Sequence, residues 1–384
     1  MEAEDIVIME NSLRYLSRNL VFPRKKDVNN PGVSFHLKFV ALNLSTVMFL
    51  TGNILHLMIN IKRKTYINLD LDLALAISLL GSYYFNFSYI RQVKNTINIY
   101  KQLSDLRSYG IPKDFYATNK KLNNYSKYHY IYIVSAVLGL SVAPLLEYKK
   151  CRKENVVKNI NEICGLIGSI WLPIDLDSTP YKQMYYIFQV YSSFVIYQTS
   201  SLISFSIMET VEHLILRLNH VKNVFLEALM EREHGVRREK FRRAVKYHVN
   251  IMRISKLVNT SFNMCMFVHV LLTGAILGCV GYRLLKSYSL GAICLFVGWI
   301  VSMIMVCISG QRLRDQSLSI GDAICRSNWL DLNKELQKDL VLVLLRCQKP
   351  IFLNAGPFGY MTYAMILTVL KTSYSYLTLL SSTS

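Results

Sequence analysis

Apolar residues gather into seven long runs, separated by segments where charged and hydrogen-bonding side chains dominate. The runs lie at roughly His36 to Ile61, Leu69 to Ile90, Tyr130 to Leu146, Tyr181 to Ile207, Phe262 to Leu285, Ser289 to Gly310 and Phe358 to Leu380. At about 1.5 Å per residue a helix of about 20 residues crosses a hydrocarbon core of about 30 Å. A backbone in lipid must satisfy its own hydrogen bonds, so runs of this length predict helices. The pattern predicts an all-α membrane protein with seven transmembrane helices. Its predicted parts are an N-terminal segment over 1–35, a six-helix bundle over 36–310 with polar extensions over 208–261, an anchor segment over 311–349, and a last membrane helix over 358–380.

Two regions keep helical periodicity without being apolar enough to span. Ile207, Val211, Leu214, Leu218, Val221, Phe225 and Ala228 repeat at about 3.5 residues, the spacing that buries a stripe against a partner helix. Gly235 breaks the repeat, and Phe241, Val245, Val249 and Met252 resume it among Arg237, Arg238, Arg242, Arg243 and Lys246. That basic run reads either as the solvated face of a bundle or as a calmodulin-target or membrane-surface helix. From Asn328 to Cys347, the residues Trp329, Leu332, Leu336, Leu340, Val343 and Cys347 recur at steps of three and four. This stripe predicts an amphipathic anchor helix whose apolar face, Trp329 to Val343, holds subunits together. Pro350 and Pro357 then interrupt the helix, and Gly356 permits a sharp turn before the last run.

That last run has a polar stripe: Thr368, Lys371, Thr372, Ser375, Leu379 and Ser382 fall on one helical face. Polar atoms are costly in lipid, so the face either lines an aqueous path or bonds neighbouring helices. In the fifth run Gly274, Gly278 and Gly281 predict the close approach of another helix.

The 384 residues are 52% hydrophobic and carry a net charge of +19. Basic residues on one soluble face would point to nucleic acid, but here they lie in the loops between runs, so no nucleic acid is expected. Of 44 Lys and Arg, 32 fall in the N-terminal segment and alternate loops, 11 in the other loops, and Lys371 in the last run. The positive-inside rule then predicts a cytoplasmic N-terminus and an external C-terminus. A receptor coupled to G proteins has the opposite orientation. The Asn-x-Ser/Thr sites at Asn43, Asn86, Asn124 and Asn259 fall in spans or on the cytoplasmic side and are predicted to carry no glycan. Met1 to Glu10 has neither a basic nor an apolar signal region, so no cleavable signal peptide is expected.

Eight cysteines include no CxxC pair and no metal-ligand spacing. Cys151 and Cys164 share one loop, and the sequence leaves open whether they pair. His56 and His269 lie in spans as interhelical hydrogen-bonding groups or pH sensors. Asp70 and Asp72 are placed to pair with Lys62, Arg63 or Lys64. No nucleophile elbow, phosphate loop, HExxH or carboxylate pair is present, so neither an enzyme, a cofactor nor a metal is expected.

The ordered set Gly310-Gln311-Arg312-Leu313, Ser317, Asp322-Ala323-Ile324-Cys325, Trp329, Leu344 to Pro350, Ala355-Gly356 and Leu370 to Leu380 resembles the C-terminal signature of insect odorant receptors. Trp171-Leu172-Pro173 before the fourth run adds a smaller likeness. Gustatory receptors end in a Thr-Tyr, an apolar run and Gln-Phe that this chain lacks. The resemblance implies a ligand-gated, non-selective cation channel in the plasma membrane of a sensory neuron dendrite, formed as a heterotetramer with the odorant receptor coreceptor. Its other partners would be membrane lipid and a small volatile organic ligand, held in the outer half of the bundle. Candidate ligand residues are Leu80, Tyr83, Tyr84, Val137, Leu138, Ser141, Tyr185, Phe188, Gln189, His269, Thr273, Phe296 and Trp299, each of which also reads as ordinary helix packing. Thr372, Ser375, Leu379 and Ser382 are the candidate pore residues, with Leu379 a constriction that dewets when closed. Lys371 beside them fits a cation path poorly. The alternatives are a metabotropic receptor or transporter that binds without conducting, and a gustatory receptor-like channel.

Overall fold

The computed structural model describes residues 6–24, 28, 32–63, 69–158, 162–171 and 178–382. Their regular structure is helical: α1 (Glu10–Arg18), α2 (Val33–Arg63), α3 (Leu69–Arg91), α4 (Val93–Ser104), α5 (Phe115–Leu146), α6 (Tyr148–Lys158), α7 (Tyr181–Met230), α8 (His234–Lys286), α9 (Leu290–Cys325), α10 (Lys334–Cys347) and α11 (Tyr363–Ser382). The one departure among the described residues is an isolated bridge between Asn354 and Tyr360. Leu172 and Pro173 of the Trp-Leu-Pro sequence lie outside the described residues.

Several helices overrun the predicted spans. With 50 and 53 residues, α7 and α8 are about 75 and 80 Å long, more than twice a hydrocarbon core. α5 begins at Phe115 rather than near Tyr130, and α9 runs through Gly310 to Cys325. Gly310 is a site of close approach and no helix end: a Cβ there would lie 2.2 Å from the Met361 carbonyl oxygen. Among the described residues five helices, α2, α3, α5, α8 and α9, contain stretches long and apolar enough to cross a membrane. α7 and α11, the other two predicted spans, are more polar. α7 is enclosed by its neighbours, with Gln189, Ser192, Ser193, Gln198, Thr199 and Ser204 all buried. In α11 the hydroxyls of Thr368, Thr372, Ser375 and Ser382 donate to carbonyls three or four residues back in the same helix.

At the end of the bundle rich in basic loops, the extensions of α7 and α8 form a core with α1, α4, α9 and α10. The predicted α7 stripe is fully buried from Ile207 to Ala228. On α8 the predicted stripe drifts, because each step of four residues advances about 40° beyond a full turn. Phe241, Ala244, Tyr247, His248 and Ile251 point inward, and Val249 is 45% exposed. The basic run lies on the solvated side, where Arg238 meets Glu335 and Lys240 meets Glu231. The apolar face that a calmodulin-type partner needs is buried within the fold. Arg217, 2% exposed, donates to the Leu103 and Asp105 carbonyls and holds the end of α4 to α7. The N-terminal segment contributes more than the sequence indicated: Ile8, Met9 and Leu16 are buried, and Ser12 donates to Glu209 at 2.5 Å.

The anchor stripe also faces its own chain. Leu332, Leu336, Leu340, Val343 and Cys347 pack into this core, and Trp329, half-buried in a short 3-10 turn, packs against it. Subunit contact through these residues was expected because a free amphipathic helix has no partner in the sequence; here the chain itself covers them. Asn333 caps α10 by accepting from the Leu336 amide. The outward side carries Val341, Leu342 and Leu345, all exposed.

Between α10 and α11 the chain turns back through a segment fastened to α8. Asn259 donates to the Phe352 carbonyl and accepts from the Asn354 amide, while Asn263 accepts from the Gly356 amide. Gly356 and Gly359 take positive φ in this turn. α11 then lies along the glycines of α8: a Cβ on Gly274 would be 3.7 Å from Thr372 Cβ, and one on Gly278 would be 2.6 Å from Tyr376 Cβ.

Burial within the core holds the His213 imidazole down at about 3, with the Arg217 charge adding to the effect. The folded state therefore binds fewer protons than the unfolded chain between about pH 3 and the usual histidine value of about 6.5. Stability should be constant above that window and fall as pH drops through it. Melting temperatures of His213→Phe should show a shallower acid slope than wild type; identical slopes would mean that His213 does not contribute to it.

Candidate functional site

Midway along the bundle α3, α5, α7, α8 and α9 line a partly open cavity of about 70 Å³. One wall is aromatic: the His269 ring stacks on Trp299 with centroids 5.6 Å apart and meets Phe85 at a tilt with centroids 5.8 Å apart. Trp299 Nε1 donates to Ser78 Oγ at 3.1 Å, which fixes the indole's orientation. Opposite, α7 presents Ser200, Ser201 and Ser204 at helical spacing. Ser200 donates to Asn86 Oδ1, and Ser201 Oγ lies 2.9 Å from His129 Nε2. The hydroxyls of Ser82 and Tyr197, also on the lining, are buried without a hydrogen-bond partner. His269 Nε2 is buried without a hydrogen-bond partner. Ile133, Ala136, Leu140 and Leu295 complete the apolar lining, and a Cβ on Gly298 would meet no atom within 4 Å.

Of the thirteen residues predicted from sequence, Val137, His269 and Trp299 line this cavity. Leu80, Tyr84 and Leu138 point away from the bundle, at 53%, 38% and 51% exposure. Tyr83, Tyr185 and Phe188 pack against a neighbouring apolar cluster, and Phe296 packs next to Trp299 without lining the space. Ser141 and Thr273 donate to carbonyls of their own helices. Gln189 clamps a loop, accepting from the Ile167 amide and donating to the Gly168 carbonyl, both at 2.8 Å. Hydroxyls at Ser200 and Ser204 share one face of α7, but the same run also carries Gln189, Ser192, Ser193, Gln198 and Thr199, so the sequence did not single out that wall.

The loop over 162–171 closes the bundle at the end away from the basic core. Cys151 and Cys164 form a disulfide there, with Cα atoms 5.7 Å apart. Trp171 N donates to the Gly52 carbonyl and Asn53 Nδ2 to the Ser169 carbonyl. His56 stands between two carboxylates: Nδ1 is 3.2 Å from Asp72 Oδ2, and Nε2 is 3.3 Å from Glu162 Oε2. Asp72 was expected to pair with Lys62, Arg63 or Lys64. Its burial turns it inward to His56; the side chains of Arg63 and Asp70, and Lys64, lie outside the described residues.

On α11 Thr372, Ser375, Leu379 and Ser382 are all exposed, with Leu379 at 59%, on the side turned away from α8. The methyl of Thr372 also reaches Gly274, so this residue borders both surfaces. Leu377 is half-buried and touches Gly281.

The sequence matches the model of a family described as "7tm Odorant receptor" over residues 74–374. It is 25% identical over 231 residues to Odorant receptor Or2 of Anopheles gambiae, covering 56% of this chain and 61% of that one. It is 28% identical over 120 residues to Odorant receptor 67a of Drosophila melanogaster, covering 30% of each. These matches span less than two thirds of either relative. Among solved structures, the insect olfactory receptor OR5 from Machilis hrabei in complex with eugenol is similar in fold, with a TM-score of 0.81 over 98% of this chain and 99% of that one at 11% identity.

The His56 clasp yields a stability test. Asp72 is 3% exposed, so His56→Leu leaves a buried carboxylate without its partner, at a cost of about 3–5 kcal/mol. Glu162→Gln, at the less buried partner, should lower the melting temperature of the purified chain less. Equal, small losses for both variants would show that the clasp bears no stability.

Proposed function

The chain belongs to the odorant receptor family, whose members are multi-pass membrane receptors rather than enzymes, and from that premise we propose that it is a ligand-tuning subunit of a cation channel formed with the family's coreceptor. In this reading the basic core is cytoplasmic and the disulfide-closed loop faces outward at the plasma membrane. The 32 to 11 charge split supports that orientation, as does the disulfide, since such bonds persist in oxidising surroundings. The exposed Val341, Leu342 and Leu345 of α10 serve as subunit contact, in place of the buried stripe.

One observation carries the reading. α8 borders the cavity at His269 and, five residues on, meets α11 at Gly274, about 7.5 Å further along the axis. A body that enlarges the cavity displaces the helix on which α11 rests, and biases α11 between two packings. The cavity is well below the roughly 300–1,000 Å³ of open ligand sites, so entry requires side chains to move. The ligand is a volatile molecule with an apolar body and one hydroxyl or carbonyl to meet His269 Nε2. At about 0.8 kcal/mol per buried CH₂, eight carbons give about 6 kcal/mol against about 1 for the hydrogen bond. Shape therefore governs selectivity more than polarity does.

Gly298 lines the cavity and a Cβ there meets no atom within 4 Å, so Gly298→Leu places a bulky side chain at its border without a clash. Whole-cell currents of this variant, co-expressed with the coreceptor, should lose their ligand response by about tenfold or more in half-maximal concentration while surface expression stays normal. An unchanged response would place the ligand elsewhere.

The pore reading has its own test. Leu379→Ser should wet the outward face of α11 and raise ligand-independent current, whereas Leu377→Ser, on the face against α8, should disturb packing without the leak. Unchanged leak and ion selectivity in Leu379→Ser at normal surface density would assign conduction wholly to the partner.

A further inference from the structure

A second, open groove of about 560 Å³ lies at the basic end of the bundle, floored by α7 and walled by α5 and α9. Its two ends differ in chemistry. Toward the middle of the bundle the lining is apolar, with Phe205, Val301 and Met305. At the mouth are Lys121 and Arg312, both exposed. Between them Tyr125 and Tyr128 line the wall at 46% and 66% exposure, in the manner of aromatic residues at a membrane–water boundary. Lys121 Nζ lies 5.5 Å from the centre of the Tyr125 ring.

Glu212 also faces the mouth and bears on the sign of any ligand. Its Oε1 lies 2.6 Å from Arg312 Nη1, with 10% of the carboxylate side chain exposed and 55% of the arginine. The pair neutralises itself internally, the other guanidinium donors remain open to solvent, and Lys121 leaves the mouth with one net positive charge. From Val301 to Arg312 the groove follows eleven helical steps of α9, about 16 Å, which matches half of a hydrocarbon core of about 30 Å.

We propose that this groove binds one anionic phospholipid, with an acyl chain along Val301 and Met305 and the headgroup phosphate at Lys121 and Arg312. An apolar trough one leaflet deep that ends in paired cations fits such a lipid on both counts, and basic pockets between membrane helices recognise anionic headgroups on the cytoplasmic side. A volatile ligand has no charge for the mouth, and a soluble anion leaves the trough unfilled. The site is separate from the His269 cavity, and the orientation proposed above enters only in naming the leaflet as cytoplasmic.

Native mass spectrometry of the full-length chain in detergent, with dioleoylphosphatidylserine or dioleoylphosphatidylcholine added, tests this without reference to orientation. Phosphatidylserine should occupy the chain about fivefold more than phosphatidylcholine, the factor expected for one basic side chain near a membrane surface. Lys121→Gln, at an exposed position, should abolish the preference, weakening phosphatidylserine binding more than that of phosphatidylcholine, whose phosphate is offset by its own choline cation. Met305→Trp should reduce binding of both lipids by obstructing the trough. Equal occupancy by the two lipids in wild type, or no effect of either variant, would overturn the proposal. Displacement of the lipid by inorganic phosphate at about 10 mM would also overturn it, in favour of a free-anion site.

Discussion

α11 occupies its place because α8 offers it hydrogen atoms instead of side chains. At Gly278 even a methyl group would lie 2.6 Å from Tyr376 Cβ and 3.0 Å from the Ser373 carbonyl oxygen. Helices in lipid gain little from burying apolar surface against one another, so close backbone approach and dispersion must hold them. The rest of the last helix follows from that seam. With one face against α8, its hydroxyl face turns away from the chain, and each of those hydroxyls satisfies itself on its own backbone.

The second constraint is polar satisfaction inside the bundle. α7 carries more polar side chains than a span exposed to lipid tolerates, and the fold surrounds it. Asn86 on α3 donates to Thr199 and accepts from Ser200, joining the two helices beside the cavity. At the cavity the His269 imidazole nitrogen lacks a partner, as do the hydroxyls of Ser82 and Tyr197. Leaving a buried polar group unpaired costs about 1–3 kcal/mol, and a ligand that meets it recovers part of that cost. The closed loop at one end and the helical core at the other hold the five cavity-forming helices in position around this point.

Much of the architecture was legible in the sequence because periodicity encodes burial directly. The α7 stripe from Ile207 to Ala228, the glycines of α8, the turn at Gly356 and the family resemblance in the last fifth of the chain all correspond to features of the fold. What the sequence did not carry was which way a helix faces. Leu80, Tyr84 and Leu138 sit in apolar helices whose moment is weak, so nothing local distinguishes a cavity wall from a lipid-facing side. Leu336 and Leu340 formed a legible stripe, but a stripe reveals only that something covers it, here the same chain. Cys151 and Cys164 required the path of their loop before their pairing could be read.

The central claim is that ligand response passes through the α8–α11 seam. The Gly274→Cys, Thr372→Cys double variant places two Cβ atoms about 3.7 Å apart, within the usual disulfide range of about 3.5–4.5 Å. Ligand-evoked whole-cell current with the coreceptor should then be small while this bond is formed and return on reduction, with each single variant unaffected by the reductant. Full evoked current with the bond quantitatively formed would show that the seam does not move when the channel opens, and would contradict the account.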